Sequence, residues 1–166
     1  MESLVTWFTS TLGAHISREA IVFIISLFPI LELRGGILAS PLLDVTMWKG
    51  ILISAVGNIL PIPFILFFIK KIFTAMKKTK LLRPLVEKME NKAMKKRDQI
   101  EKYEFWGLVL FVGIPLPGTG AWTGALVASL IDMDIKKAFK AILLGICLAA
   151  VIMTLISYGV LGHIIR

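Results

Sequence analysis

The chain has 166 residues, 57% hydrophobic and 18% charged, with a net charge of +8. A soluble domain is about 45–50% apolar and roughly 25% charged. Here the apolar residues lie in uncharged blocks with the charge pooled between them, which excludes a soluble globular enzyme, a disordered chain and a disulfide scaffold, and leaves a small polytopic α-helical membrane protein.

In chain order, Leu4, Trp7, Phe8, Leu12 and Ile16 recur at helical spacing, which predicts an interfacial helix over 1–17 with His15 at headgroup level. The start lacks a basic region and a small-residue cleavage site, so the first apolar blocks are expected to stay in the protein. Residues 20–31 are uncharged and contain Pro29; Glu32-Leu33-Arg34-Gly35-Gly36 follows, then an uncharged stretch to Leu43. Residues 50–69 are a clean uncharged span carrying Asn58, Pro61 and Pro63, long enough to cross a hydrocarbon layer of about 30 Å. Residues 70–104 hold 12 of the 19 Lys/Arg. Leu82, Leu85, Val86, Met89 and Ala93 fall on one helical face there, so part of this basic segment is an amphipathic helix. It is either a solvated cytoplasmic linker or a surface helix held by anionic lipid. Residues 105–131 are uncharged but interrupted by Pro115-Leu116-Pro117-Gly118-Thr119-Gly120, Asp132 and Asp134 form a polar turn capping a helix that begins near Lys136, and 141–162 is the last apolar span. The lone Cys147 cannot form an internal disulfide and reads as a small packed core residue.

Two apolar blocks are broken near their middles. The arms Ala20–Leu31 and Gly35–Leu43 reach about 18 and 14 Å, half the hydrocarbon thickness. Broken backbone at membrane depth needs cover from protein or a water-filled cavity, so the two breaks should face each other. The predicted fold is an all-α integral membrane protein with re-entrant hairpins at 18–43 and 105–131, two full transmembrane helices at 50–69 and 141–162, and amphipathic interfacial helices. Each half reads hairpin, polar turn, span. Small residues recur every four positions at Gly50/Ser54/Asn58, Ala141/Gly145/Ala149 and Gly120/Gly124/Ala128, as close helix packing requires. With 70–104 cytoplasmic, hairpins also bring 132–140 and its lysines inside, whereas kinked full spans leave those lysines outside. The positive-inside rule favours hairpins entering from opposite sides, an inverted repeat.

The stretches Pro29-Ile-Leu-Glu-Leu-Arg-Gly-Gly-Ile37 and Gly113-Ile-Pro-Leu-Pro-Gly-Thr-Gly-Ala-Trp-Thr-Gly124 resemble the small multidrug export protein family over roughly residues 15–163. That family is similar at a distance to the DedA/VTT membrane proteins. The resemblance implies paired re-entrant hairpins facing full spans, and a role like theirs in recycling undecaprenyl phosphate or scrambling phospholipids. DedA proteins carry arginines around their second hairpin; here 105–131 has no charged residue, so only Glu32 and Arg34 carry over as an acid/base pair.

Glu32 and Arg34 are the sharpest candidates, because intramembrane ionisable residues are costly and mark functional sites. Arg34 offers a fork suited to phosphate and Glu32 a proton-carrying carboxyl; the structural alternative is an ion pair closing the hairpin tip. Gly35-Gly36 and Gly118-Thr119-Gly120 each precede a helical arm whose N-terminus attracts anions, or they simply permit sharp turns. Asn58, Thr119 and Thr123 are candidate site-lining residues, with Trp122 either lining or packing. The leading function is a lipid-phosphate flippase, with undecaprenyl phosphate as substrate and protons as coupling ion. The alternatives are a proton-coupled small-molecule or multidrug exporter, which Arg34 argues against for cations, and a non-transport scaffold recruiting partners through 70–104. With histidine only at 15 and 163, near the chain ends, no embedded enzyme, metal site or cofactor is expected. Membrane lipid is the expected partner rather than nucleic acid, the plasma or inner membrane the expected location, and size alone points to a homodimer.

Overall fold

The computed structural model describes residues 17–95 and 103–160. The interfacial helix expected over 1–17, residues 96–102 of the basic segment, and 161–166 with His163 lie outside the described residues, apart from Ser17.

Every regular element among the described residues is helical. Helix α1 (Arg18–Leu27) starts where the Ser17 hydroxyl accepts from Ala20 N at 3.2 Å. It ends ahead of Pro29, which forces Phe28 into extended backbone (ψ 133°). Helix α2 (Glu32–Leu42) therefore begins at Glu32 itself. The break expected at Glu32–Arg34 falls at Phe28–Leu31 instead, and the two charges occupy the first turn of the outgoing arm. Helices α3 (Met47–Ile59) and α4 (Ile62–Lys77) run on through a kink at Leu60–Pro61, where proline removes a helical donor. Helix α5 (Arg83–Met94) buries Val86 and leaves Leu85 and Met89 exposed. Helices α6 (Glu104–Gly113) and α7 (Ala121–Leu130) flank the 114–120 break. Helix α8 (Ile135–Thr154), capped by the Asp134 carboxylate accepting from Lys137 N, continues as a π-helical turn, Leu155–Val160.

Two stretches are long and apolar enough to cross a membrane, Met47–Lys77 with 31 residues and Ile135–Gly159 with 25; at 1.5 Å per residue both exceed a hydrocarbon core of about 30 Å. Both outrun the expected limits of 50–69 and 141–162 at their N-terminal ends, and the first also carries on into the basic segment as far as Lys77. Their outer faces are large and bare, with Leu52, Val56, Phe64 and Phe67 all more than half exposed, a contiguous apolar surface that a lipid environment accounts for. Cys147 is exposed on α8 and not the packed core residue expected, because the small residues Ala141, Gly145 and Ala149 take the buried face of that helix.

Helix α3 packs on α1 and α2, and α8 packs on α6; across the molecule α4 lies against α7 and α8 against α2. The small-residue stripes make this proximity possible. A Cβ on Gly36 would meet the Ser26 and Ser54 hydroxyls, one on Gly50 would lie 2.6 Å from Ser40 Cβ, and one on Gly145 would lie 2.9 Å from Val109 O.

The exits from α2 and α7 are built alike. Leu43 N, Asp44 N and Val45 N donate to the carbonyls of Ala39, Pro41 and Ser40, and 88 residues on Ile131 N, Asp132 N and Met133 N donate to those of Val127, Ser129 and Ala128. Both aspartates are left-handed, with φ 53° and 59°.

Four of the ion pairs form two groups. Arg18–Asp44 (3.1 Å) and Lys49–Glu19 (3.6 Å) tie the start of α1 to the α2–α3 turn. Lys70–Asp132 ties the far part of α4 to the exit of α7, and Lys137–Glu104 ties the first turn of α8 to the start of α6.

Candidate functional site

The first turn of α2 meets the 112–122 stretch. Glu32 is 5% exposed. Its carboxylate accepts from Ala121 N at 3.0 Å and from Trp122 N at 3.1 Å, the first two amides of α7. These are donors that a helix leaves unpaired, at the positive end of its dipole. Glu32 also holds a left-handed φ of 50°, a conformation costing about 1–3 kcal/mol that persists only where surroundings enforce it. Gly120 leaves room for the carboxylate: its φ is 133°, and a Cβ there would lie 2.8 Å from Glu32 Cδ.

Arg34 serves the opposite helix end. Its guanidinium donates to Leu116 O (2.9 Å), Ile114 O (3.1 Å), Val112 O (3.5 Å) and the Thr119 hydroxyl (3.0 Å). The carbonyls at the end of α6 and just beyond carry the negative end of that helix dipole. Thr119 in turn donates to Leu116 O at 2.8 Å, which closes the loop around the guanidinium. Acid and base, two residues apart, thus cap the positive end of α7 and the negative end of α6.

Of the residues singled out in the sequence, Glu32, Arg34, Thr119 and Gly120 come together here. Gly118 (φ 77°) has nothing within 4 Å of a built Cβ and serves the turn. Gly35 N donates to Leu31 O at 2.8 Å, and Gly36 faces Ser26 and Ser54, so neither glycine points into the junction. Thr123, half-buried, lies one turn further along α7. Asn58 is 2% exposed with no partner for Oδ1, and Ser54 is fully buried with no partner for Oγ.

Beside the junction an open apolar groove of about 600 Å³ runs along α4, lined by Leu60, Pro61, Phe64, Phe68, Ile72 and Trp122. Trp122 joins the two features: its backbone holds Glu32 and its ring walls the groove. Its indole Nε1 is buried without a hydrogen-bond partner. The sequence named Trp122 only as a residue that lines or packs, and α4 is apolar on nearly every side, so periodicity did not single out a groove face.

The model of the family described as "Putative small multi-drug export protein" matches residues 32–152, well over half the chain. The chain belongs to this family. The matched stretch contains Glu32 and Arg34, all their partners in 112–122, and the α4 wall of the groove. Neither a curated protein nor a solved structure matches the chain. Family membership and the two long apolar helices together make this a membrane protein of an export family.

Proposed function

We propose that the chain is a proton-coupled exporter of small lipophilic molecules, with the α4 groove as the substrate site and Glu32 as the coupling group. One observation carries the reading: Trp122 is both a donor to the Glu32 carboxylate and a wall of the groove. Protonating Glu32 removes the negative charge that faces the α7 N-terminus and weakens both charge-assisted hydrogen bonds. Trp122 is then free to shift, and the groove changes shape with it. A lipophilic compound suits a lining that is apolar throughout. A lipid phosphate needs an open anion site, but Glu32 takes the N-terminus of α7 and the Arg34 guanidinium is engaged by the carbonyls at the end of α6, so the exporter reading is preferred to a flippase.

The reading includes a topology. The helices of each hairpin are 10 or 11 residues long, about half a bilayer. One hairpin has both ends among the Arg18–Asp44 and Lys49–Glu19 pairs, the other among the Lys70–Asp132 and Lys137–Glu104 pairs. We infer that both hairpins are re-entrant, enter from opposite faces, and form an inverted repeat, as the shared hydrogen bonds 88 residues apart suggest. The basic segment puts the Lys70 face in the cytoplasm of a cell bounded by its plasma or inner membrane. The groove, which runs from Leu60 to Ile72, then opens to the cytoplasmic half of the bilayer.

Two experiments test this. In chains with Cys147 replaced by serine, Thr46→Cys is expected to react with an impermeant thiol reagent on intact cells, and Lys136→Cys only after permeabilisation. Both reacting from outside would mean kinked spans, not hairpins. In liposomes holding the purified chain, an imposed pH gradient is expected to drive a lipophilic fluorescent dye against the proton flow. Glu32→Gln should cut that movement at least about tenfold, a barrier change of roughly 1.4 kcal/mol, and Trp122→Ala should weaken dye binding. Undiminished, gradient-driven movement by Glu32→Gln would overturn the reading.

A further inference from the structure

Helices α2 and α3 run antiparallel with a polar or small residue at every fourth position of the shared seam. On α2 these are Glu32, Gly36 and Ser40; on α3 they are Gly50, Ser54 and Asn58. The register is fixed by two approaches: Gly50 against Ser40, with a built Cβ 2.6 Å from Ser40 Cβ, and Gly36 against Ser54, with a built Cβ 3.0 Å from Ser54 Cβ. The next step of four residues sets Asn58 level with Glu32. The groove supports this placement independently, because Leu60 and Pro61, just beyond Asn58, line it together with Trp122.

The seam holds a file of polar groups. Ser26 of α1 reaches Gly36 beside Ser54. At the other end the Ser40 and Tyr158 hydroxyls both lie beside Gly50; Ser40 donates to Gly36 O at 2.8 Å and Tyr158 to Val45 O at 3.4 Å. Val45 belongs to the α2–α3 turn, whose Asp44 and Thr46 are exposed to water. From Glu32 to Ser40 the rise is about 12 Å. In the middle of this file Ser54 Oγ and Asn58 Oδ1 are wholly buried and unpartnered. A buried polar atom left without a partner costs about 1–3 kcal/mol, and native proteins satisfy such atoms with protein groups or ordered water. Structural packing alone gives no reason for a serine and an asparagine here, since alanine and leucine would fill the same space without that cost.

We propose that the α2–α3 seam is a proton conduit from water at the 43–46 turn, past Tyr158, Ser40, Ser26, Ser54 and Asn58, to the Glu32 carboxylate. Water molecules accepted by Ser54 and Asn58 link the hydroxyls. A proton taken up from bulk water at the turn leaves hydroxide or buffer base behind, and one proton is delivered to a Glu32 oxygen, which turns carboxylate into carboxylic acid. The charged group at the Glu32 end is Arg34 of the same helix. The charged residues of α1 and α3 (Arg18, Glu19 and Lys49) stand at the mouth, whereas α7 and the 114–120 turn bring none to Glu32. Of those on α4 and α8, Lys70, Lys77 and Lys137 pair with Asp132, Glu90 and Glu104, and Lys71, Lys136 and Lys140 lie within a turn of a pairing lysine. The conduit rests on the exporter reading for its purpose, and it separates the two routes: protons reach Glu32 along α2–α3, substrate along α4.

Time-resolved infrared spectroscopy of the full chain in liposomes, after a pH jump, reads the protonated carboxyl band of Glu32, assigned by its loss in Glu32→Gln. Asn58→Leu and Ser54→Ala are expected to slow its appearance about tenfold or more without changing its final extent. Asn58→Ser, which keeps a polar group, should stay within about twofold of the wild type. Ser54→Ala removes a single oxygen and keeps the test decisive should Asn58→Leu not fold. Equal rates in wild type and both apolar variants, or a Glu32 band that never forms, overturn the conduit. If the wild type moves no dye but the variants still slow the band, the exporter reading fails and the conduit stands. If dye moves and the band ignores the variants, the reverse holds.

Discussion

Gly120→Ala is expected to cost about 4 kcal/mol of stability and to uncouple the two hairpins. Two effects act together. A side chain at φ 133° carries about 1–3 kcal/mol of backbone strain. The new methyl would also lie 2.8 Å from Glu32 Cδ and drive the carboxylate off the amides of Ala121 and Trp122, leaving a buried charge short of its donors at a further cost of about 1–3 kcal/mol. Gly118→Ala two residues earlier is the matched control. It pays for a φ of 77° but meets nothing within 4 Å, so about 1–2 kcal/mol is expected. Unfolding of the purified variants in lipid or detergent, followed by loss of helical circular dichroism, measures both. Equal losses would mean that Gly120 serves only its turn and that the contact with Glu32 carries little energy.

Arg34→Ala is expected to cost about 3 kcal/mol, and Arg34→Lys nearly as much. Hydrogen bonds from a charged donor are worth about 1.5–3 kcal/mol each, and Arg34 donates to four acceptor oxygens. The residue is only partly buried, so water recovers some of that sum. Lysine keeps the charge but has no planar fork, and one ammonium cannot span Val112, Ile114, Leu116 and Thr119 together. A double-mutant cycle with Glu32→Gln reads the coupling between the two caps. An interaction energy of about 1 kcal/mol or more is expected because both act at one junction. Additivity within about 0.5 kcal/mol would mean that the ends of α6 and α7 are held separately.

Much of the helical layout was legible. Uncharged blocks broken by proline and glycine, a charged pair beside one break, and Asp134 ahead of α8 all have direct physical meaning. The position of the first break was also legible in principle: Pro29 bars helix at Phe28, although the charges at 32 and 34 are the more conspicuous feature. The partners of those charges were not legible. A carboxylate two residues from a guanidinium suggests an ion pair, whereas Glu32 instead binds main-chain amides 89 and 90 residues away. Backbone donors and carbonyls look the same at every position, so no residue type marks Ala121 or Leu116 as a partner. For the same reason, the start of α7, which looked open to an external anion, is filled by the Glu32 carboxylate. The left-handed backbone at Glu32 goes against the preference of its residue type.

The tips of the two helix pairs meet through one carboxylate, one guanidinium and a hydroxyl, with no helix crossing the join between α2 and α7. A continuous helix must be bent or melted before it can yield. The tip junction can loosen by breaking side-chain hydrogen bonds alone, with every helix on either side intact, while the packing of α4 on α7 and of α8 on α2 holds the rest together.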